Sequence, residues 1–409
     1  MLFAWAAAGA LTLAGALICA ELATAFPETG GVYVFLRELY SPAAGFLWGW
    51  AMFWSMHSGI IAAIAMVFAR YFIPLVSLDE HATRPVALAA VVALSAINYA
   101  GVRLGSGLQA WITWIKIGAV VVLLAMLFGW VATHGNVRSP VDLPPEGGTH
   151  GVGWYSWLPP SGGRDAASFL LAIAAGLFAF GGWHMVTYSM GETVDARRTI
   201  PRALIAGTLA VTAIYMALNA AYVLVLPMDR VLASPRIAAD AAAAAGGSAA
   251  ATAIAALVVV SSFGAMNGIV LAGPRVYLAM AQDGLLFKRF GAVHPRFRTP
   301  HVAIAAQGIW TCVLVLTGTY RGLFTRVVYT EWIFFGLLAV GLILARGRGG
   351  YAPTFRVRPV PLLPVVFAIA CALIVLNQLA AQPLDSLIGL LIVAAGIPVY
   401  VVWRARRRP

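Results

Sequence analysis

The feature that most constrains this chain is a series of apolar stretches, each about long enough to cross a bilayer as a helix. A hydrocarbon core about 30 Å thick needs about 20 apolar residues at a helical rise of 1.5 Å per residue. Because backbone polar groups in lipid must pair internally, such stretches predict an all-α integral membrane protein. Eleven are expected, near residues 2–26, 45–73, 84–101, 105–131, 166–190, 202–226, 252–281, 301–317, 323–345, 359–380 and 386–403.

The composition excludes an ordinary soluble protein. Hydrophobic residues fill 61% of the 409 positions and charged residues only 10%, whereas a soluble domain carries about 25% charged residues. Cys19, Cys312 and Cys371 all fall inside apolar stretches, so neither a disulfide framework nor a metal site is expected. The net charge of +12 is spread over short loops, which argues against nucleic acid as a partner.

The basic residues predict an orientation in the cell membrane. Arg404 and Arg406–Arg408 place the C-terminus in the cytoplasm under the positive-inside rule, and the loops then assigned to the inside hold most of the other basic residues. With eleven spans Met1 would lie outside, although the chain starts in apolar sequence without a cleavable-signal pattern. We therefore expect one further span before Met1. The two longest connections, 131–165 and 227–251, are expected to be surface loops.

A glycine pair interrupts the stretch at 166–190, and no earlier stretch carries a matching interruption. Glycine loses the most conformational freedom in a helix, so Gly181 and Gly182 mark a place where the helix opens easily. Freed carbonyls suit an ammonium group and freed amides suit a carboxylate, and an α-amino acid carries both. Inverted-repeat transporters bind substrate where broken helices meet. The alternative is that the glycines only allow close helix packing.

Lys116 is the second informative residue, because it lies eleven positions after Gly105, about 16 Å of helix from the start of its stretch. A charge at such depth costs at least about 2.5–3.5 kcal/mol, so the side chain should face the protein interior or water and have polar partners. The alternative is a lysine that serves only a structural hydrogen-bond network.

The remaining polar residues in the apolar stretches are weaker signals. Ser261 and Ser262 either act beside Lys116 or bond back to their own helix, as membrane serines commonly do. Asn267 is unusual in the middle of a stretch, and His57 is expected to be a packing histidine rather than a cavity residue. No transport chemistry is assigned to the charged residues near stretch ends, which are Glu21, Arg70 and Arg275. Two aromatic residues, Trp332 and Phe335, are candidates for lining a cavity.

Enzyme and channel functions find little support. The sequence contains no HExxH, GxSxG or phosphate-binding Gly-Lys-Ser/Thr pattern, and its seven histidines are dispersed. No repeated filter sequence indicates a channel. Transport by alternating access fits the broken stretch better.

Several short motifs are specific in their order and spacing. They are Ala20–Pro27 with Gly30–Tyr33, Phe178–Trp183, Thr199–Arg202, Ser261–Gly268 with Gly273–Tyr277, Asp283–Gly284 and Gly396–Tyr400. In these motifs the chain resembles the amino acid–polyamine–organocation superfamily, close to the L-type amino acid transporters. The resemblance implies twelve spans around an inverted five-plus-five repeat, and it aligns the first visible span with the family's second. One polytopic domain over 1–409 would then hold the first repeat without its first span (1–131), the second repeat (166–345) and two extra spans (359–403).

The resemblance also implies roles for the broken stretch and for Lys116. The substrate-binding segment would be Phe178, Ala179, Phe180, Gly181, Gly182, Trp183 and His184. In it, the carbonyls of Phe178, Ala179 and Gly181 would bind the substrate amine, Phe180 and Trp183 would be wall or gate positions, and His184 replaces the Asn usual in L-type members. A lysine at the Lys116 position takes the place of a sodium ion in sodium-independent relatives, facing the span that here holds Ser261, Ser262 and Asn267.

The sequence therefore predicts a sodium-independent secondary transporter of amino acids, with exchange, proton symport and facilitated uptake left open. A neutral cargo is favoured, because no acidic residue is expected in the middle of the cavity-forming stretches. The alternatives are a transporter of cationic amino acids or polyamines, and a nontransporting relative or sensor. No cofactor is expected. The loop at 74–84 has no cysteine, so no covalently linked heavy-chain partner of the L-type kind is expected.

Overall fold

The computed structural model describes residues 1–135, 163–234, 236–318, 320–359 and 361–405, and its regular structure there is helical. A π-helical turn covers Met52–Met56, and short 3₁₀ helices cover Glu80–Ala82, Trp183–Glu192 and Lys288–Gly291. The α-helices are Leu2–Ala25 (α1), Val32–Leu39 (α2), Pro42–Ala51 (α3), His57–Leu75 (α4), Thr83–Ala100 (α5), Val102–His134 (α6), Gly163–Ala179 (α7), Ala196–Val225 (α8), Met228–Ala233 (α9), Ile237–Ala272 (α10), Pro274–Gln282 (α11), His301–Thr317 (α12), Tyr320–Arg346 (α13), Leu362–Ala381 (α14) and Pro383–Ala405 (α15).

The expected all-α membrane fold is confirmed. Among the described residues, ten helical stretches are long and apolar enough to cross a membrane, and α12 is a further, shorter apolar helix. Each of the eleven expected stretches overlaps one of these helices. The further span expected before Met1 and the division into repeats stay predictions. Most of the expected loop at 131–165, namely 136–162, and Arg406–Arg408 of the basic tail lie outside the described residues.

The expected surface loop at 227–251 is wrong, because α9 and the first turns of α10 occupy most of it. Its alanines have the highest helix propensity of any residue, so the run extends the helix backwards to Ile237 rather than ending it. Ala241 and Ala242 are fully buried where α10 packs against α6 and α8. Only Gly247, with φ +74°, departs from helical geometry.

Small residues set the closest helix contacts of the core. The first helix, α1, packs along α8 and also contacts α7, α13 and α14. A Cβ atom at Gly15 of α1 would lie 2.9 Å from the ring of Trp183, so the glycine leaves the room that this ring fills. Close approach at glycine is the usual way in which membrane helices gain packing contacts.

Two asparagines connect α5, α6 and α10 inside the bundle. The Asn98 side-chain amide donates to Asn267 Oδ1 at 2.8 Å, and Asn267 Nδ2 donates to the carbonyl of Gly105 at 2.9 Å. Both asparagines are about 1% exposed or less. The hydrogen bonds explain how Asn267 is tolerated in the middle of α10, because both its side-chain oxygen and its side-chain nitrogen have partners.

A buried carboxylate connects the end of α1 to the end of α13. Glu21 is fully buried and accepts hydrogen bonds from the Arg346 guanidinium, from the Tyr351 hydroxyl at 3.1 Å and from the backbone amide of Val357 at 2.7 Å. Burial and the neighbouring Glu21 charge both raise the pKa of Tyr351. Glu21, near the end of its apolar stretch, is thus paired with a specific set of donors.

Candidate substrate cavity

The apolar stretch at 166–190 is interrupted at the glycine pair. Helix α7 ends at Ala179, and Gly182 adopts a left-handed conformation with φ +93° before the chain resumes as a 3₁₀ helix at Trp183. The amide of Gly181 donates back to the carbonyl of Phe178 at 2.9 Å, which closes a turn. A side chain disfavours this backbone conformation, so glycine at 182 suits the break.

A cavity of about 850 Å³ lies beside the break, between α4, α6, α10 and the segment that follows α7. Its wall is largely apolar, and the polar side chains that reach it are few. Among its described lining residues there is no carboxylate. Four of the predicted site residues line it, together with both predicted serines: Phe178, Ala179, Gly181, Gly182, Ser261 and Ser262.

Two predicted wall or gate residues face the opposite side of the segment. Phe180 and Trp183 line a separate cavity of about 360 Å³ against α1 and α8 and do not line the larger one. The Phe180 ring packs against Tyr215 with ring centres 5.0 Å apart. Phe180 and Trp183 face away from the larger cavity because the turn at the glycines changes the direction in which successive side chains point.

Two of the three carbonyls predicted to bind a substrate amine already accept hydrogen bonds. The carbonyl of Phe178 accepts from the Gly181 amide, and that of Ala179 accepts from the Tyr215 hydroxyl at 2.8 Å. A carbonyl oxygen has two lone pairs, so each keeps the capacity for a second donor. An ammonium group would therefore add to these bonds or replace them.

His184 does not line the cavity but is fully buried in the protein core. Its ring lies 5.0 Å from that of Phe335, 5.6 Å from Tyr188 and 5.7 Å from Trp48, measured between centres. Phe335 and Trp332, predicted as cavity candidates, belong to this same aromatic core and are absent from the described lining of the large cavity.

Sequence reasoning missed one acidic residue within a span. Glu331 lies on α13 and is only 5% exposed, so the expectation that no acid occupies the middle of these stretches is wrong. It does not line the large cavity, whose described wall has no carboxylate. His57 is fully buried, as expected for a packing histidine, but neither ring nitrogen has a hydrogen-bond partner among the described residues.

The four residues predicted to couple transport fall into two groups. Lys116 and Ser261 share a small cavity of about 140 Å³ between α6, α8 and α10, and Ser261 also lines the large cavity. The Ser262 hydroxyl instead donates to the carbonyl of Val258 at 2.8 Å, the back-bonding expected as the alternative. Asn267 belongs to the asparagine pair described above. The structure thus brings Lys116 close to one of its three predicted partners.

Arg275, to which the sequence assigned no role, lies at one end of the large cavity. It also lines a neighbouring cavity of about 760 Å³, which Arg296 and Arg298 make strongly basic. Its guanidinium donates to both carboxylate oxygens of Glu192, the last residue of the 3₁₀ helix, at 2.8 and 2.9 Å. An ion pair therefore stands where the two cavities adjoin, a position that only the fold reveals.

Comparison with known proteins identifies the family of this chain. The chain matches the family described as amino acid permease over residues 1–402. It is 31% identical to the serine/threonine exchanger SteT of Bacillus subtilis (strain 168), a match covering 99% of this chain and 89% of that protein.

Two relatives from Homo sapiens match over a similar range. Identity to Asc-type amino acid transporter 1 is 28%, over 99% of this chain and 76% of the relative. Identity to the large neutral amino acids transporter small subunit 2 is 27%, over 98% of this chain and 74% of the relative. These proteins are transporters rather than enzymes, in agreement with the sequence prediction. The chain belongs to the amino acid permease family, as an L-type-like multi-pass membrane protein of the amino acid–polyamine–organocation superfamily, and its function is amino acid transport.

Proposed function

We propose that the protein carries neutral amino acids across the cell membrane by alternating access, without sodium. The observation that carries this proposal is the break at Gly181 and Gly182, which lies against a cavity of about 850 Å³. Small-molecule sites commonly occupy about 300–1,000 Å³ and are mostly apolar with a few polar groups. The cavity has this size and this character.

Both ends of an amino acid backbone have suitable groups in the broken segment. The C-terminal end of α7 carries the negative end of the helix dipole, and its residues Phe178 and Ala179 line the cavity. An ammonium group is favoured there. Backbone amides at the start of the following segment suit a carboxylate.

The described cavity wall favours a side chain without positive charge. Ile60, Ile64, Met185 and Ile269 supply apolar surface, and hydroxyl groups are available from the serines. A cationic side chain would be buried there without a carboxylate, which is costly. The names of the relatives refer to serine, threonine and large neutral amino acids, which supports the same substrate class for this chain.

Sodium independence rests on Lys116. Lys116 is half-buried and lines one cavity with Ser261, and in this proposal its positive charge takes the place of a bound sodium ion. An ammonium group and a sodium ion in one place would repel each other, which makes the lysine a substitute for the ion. Exchange and proton symport both remain compatible with this arrangement.

The proposed membrane orientation, and a proposal without a covalently linked heavy chain, are those expected from the sequence. We place the C-terminus in the cytoplasm because of the basic tail. A covalently linked heavy chain is not part of the proposal, because the three cysteines lie within α1, α12 and α14 rather than in a loop.

The test is uptake of labelled leucine and of labelled serine into proteoliposomes that contain the purified chain. We expect uptake with potassium in place of sodium, and competition by leucine, alanine and serine but not by arginine or putrescine. Vesicles preloaded with amino acid, compared with vesicles under an inward proton gradient, separate exchange from symport. Stronger competition by arginine or putrescine would establish the cationic alternative, and absence of any uptake would contradict transport by this chain.

A further inference from the structure

Three polar side chains from distant parts of the chain converge in the core behind the broken segment. They are His57 of α4, His184 of the 3₁₀ helix and Glu331 of α13, and one ligand atom from each lies within 4.8 Å of the other two. The side chains are 0%, 0% and 5% exposed. We call these three residues the His-His-Glu cluster.

The polar atoms of the cluster lack partners. Both ring nitrogens of His57, both of His184 and Oε1 of Glu331 are buried, with no hydrogen bond to any described residue. Buried polar groups in proteins are nearly always paired, and an isolated exception calls for an explanation such as an ion or a water molecule. One unpaired ligand atom from each of the three side chains lies within 4.8 Å of the other two, which indicates a missing partner that the three share.

The surroundings supply no such partner. Rings of Trp48 and Phe335 pack against His184, and Tyr188 packs against both histidines. The Tyr188 hydroxyl is directed to the sulfur of Met52 at 3.8 Å. Aromatic rings thus pack against the polar side chains of the cluster.

We propose that the His-His-Glu cluster binds a divalent transition metal ion, and that Zn²⁺ fits it best. Two imidazoles and one carboxylate form a common three-residue zinc set, which leaves a fourth position open. Zinc lies about 2.0–2.2 Å from such ligands, so tetrahedral ligand atoms are about 3.4 Å apart. The ligand atoms of the cluster, all within 4.8 Å of one another, would move closer together to bind the ion. Direct sharing of a proton would instead need hydrogen bonds between the three groups, and they make none.

A bound ion would connect the broken segment to two other helices. His184 lies two positions after Gly182, so the ion would hold the start of the 3₁₀ helix against α4 and α13. Metal binding by these residues does not depend on which amino acid is transported, so its test is separate from the uptake assay.

The experiment uses the full chain in detergent, purified through a tag that contains no histidine and then treated with a chelator. Co²⁺ is titrated in as a spectroscopic probe, and metal content is measured after Zn²⁺ loading and desalting. We expect about one ion per chain and the visible absorption of tetrahedral Co²⁺. His57→Gln and Glu331→Gln should each lower Co²⁺ affinity at least about tenfold.

A matched control addresses other histidines. His301 of α12 lies near His294, with ring centres 5.2 Å apart, and its Nδ1 is also without a hydrogen-bond partner among the described residues. His301→Gln should leave Co²⁺ binding unchanged. Loss of binding in His301→Gln, or binding retained in both cluster variants, would overturn the proposal.

Two further outcomes decide the case even where a variant fails to fold. X-ray absorption of the zinc-loaded wild-type protein should show imidazole scattering from two histidines and a nearby oxygen. A wild-type chain that binds neither Co²⁺ nor Zn²⁺ would overturn the proposal and leave a water molecule as the shared partner.

Discussion

The guanidinium of Arg275 and the carboxylate of Glu192 form a two-pronged ion pair, with N–O distances of 2.8 and 2.9 Å, at the boundary between two large cavities. Glu192 ends the segment that begins at the helix break, whereas Arg275 follows α10 at the start of α11. The pair therefore joins the end of the 3₁₀ helix Trp183–Glu192 to the start of α11. Charge-assisted pairs of this geometry are the stronger hydrogen bonds in proteins.

Glu192→Gln should weaken this contact. One charge is removed while Arg275 stays largely buried, so we expect a loss of roughly 1–3 kcal/mol in stability and faster access of solutes to the large cavity. The measurement is thermal denaturation, together with thiol labelling of a Ser189→Cys reporter, since Ser189 lines that cavity. Glu80→Gln, at an exposed position, is the control. Equal labelling rates for the two variants would show that the pair does not limit access.

Gly182→Ala should impair transport. The left-handed backbone at φ +93° disfavours a side chain by about 1–2 kcal/mol, so alanine shifts the segment away from its present turn. We expect leucine uptake to fall about tenfold or more at equal expression, which corresponds to about 1.4 kcal/mol. Gly129→Ala on α6, where an added Cβ would meet no atom within 4 Å, is the matched control. Normal uptake by Gly182→Ala would argue that the glycine serves packing alone.

Lys116→Ala should abolish most sodium-independent uptake. Removing the ammonium group leaves its cavity beside Ser261 without a positive charge. We expect at least about a tenfold fall in rate. The control is Lys288→Ala, an exposed lysine of the 3₁₀ helix Lys288–Gly291. Undiminished transport by Lys116→Ala would remove the coupling role.

Tyr33→Phe should alter the response to alkaline pH. The Tyr33 hydroxyl donates to Asp283 at 2.5 Å, and burial, followed by this carboxylate, raises its pKa. Because the folded pKa lies above the ordinary value of about 10, the contribution to stability is complete below pH 10 and is lost as the pH rises toward the folded pKa. Tyr33→Phe should thus be less stable at pH 8 by roughly 1–2 kcal/mol and should lose less stability between about pH 9 and pH 11. Parallel melting curves for the two proteins across this range would contradict the assignment.

The membrane helices were predictable because hydropathy alone determines what can cross a bilayer. The limits of the helices are less predictable, since alanine is both weakly apolar and the best helix former, so the alanine-rich segment 227–251 is compatible with either a loop or a helix. The break at Gly181 and Gly182 was visible in the sequence, because glycine destabilises a helix wherever it lies.

The side-chain arrangement at the break was only partly predictable. Phe180 and Trp183 lie away from the large cavity because the left-handed turn at Gly182 changes the direction of the neighbouring side chains. The helical periodicity of the sequence does not predict side-chain directions across such a turn. The convergence of His57, His184 and Glu331 depends on tertiary packing, and each residue taken singly looks like a buried polar exception. Arg275 gave no signal, because an arginine near the end of a span normally reaches toward water.

Glu21 joins the end of α1 to the end of α13 and the stretch that follows it. Its carboxylate is surrounded by donors from Arg346, Tyr351 and Val357, and it is sealed from solvent. Sliding α1 along α13 would strip an ionised group of these donors before water could replace them, which carries a large electrostatic cost. Helix rearrangement during a transport cycle should therefore carry these two elements together, with the hinge located elsewhere in the bundle.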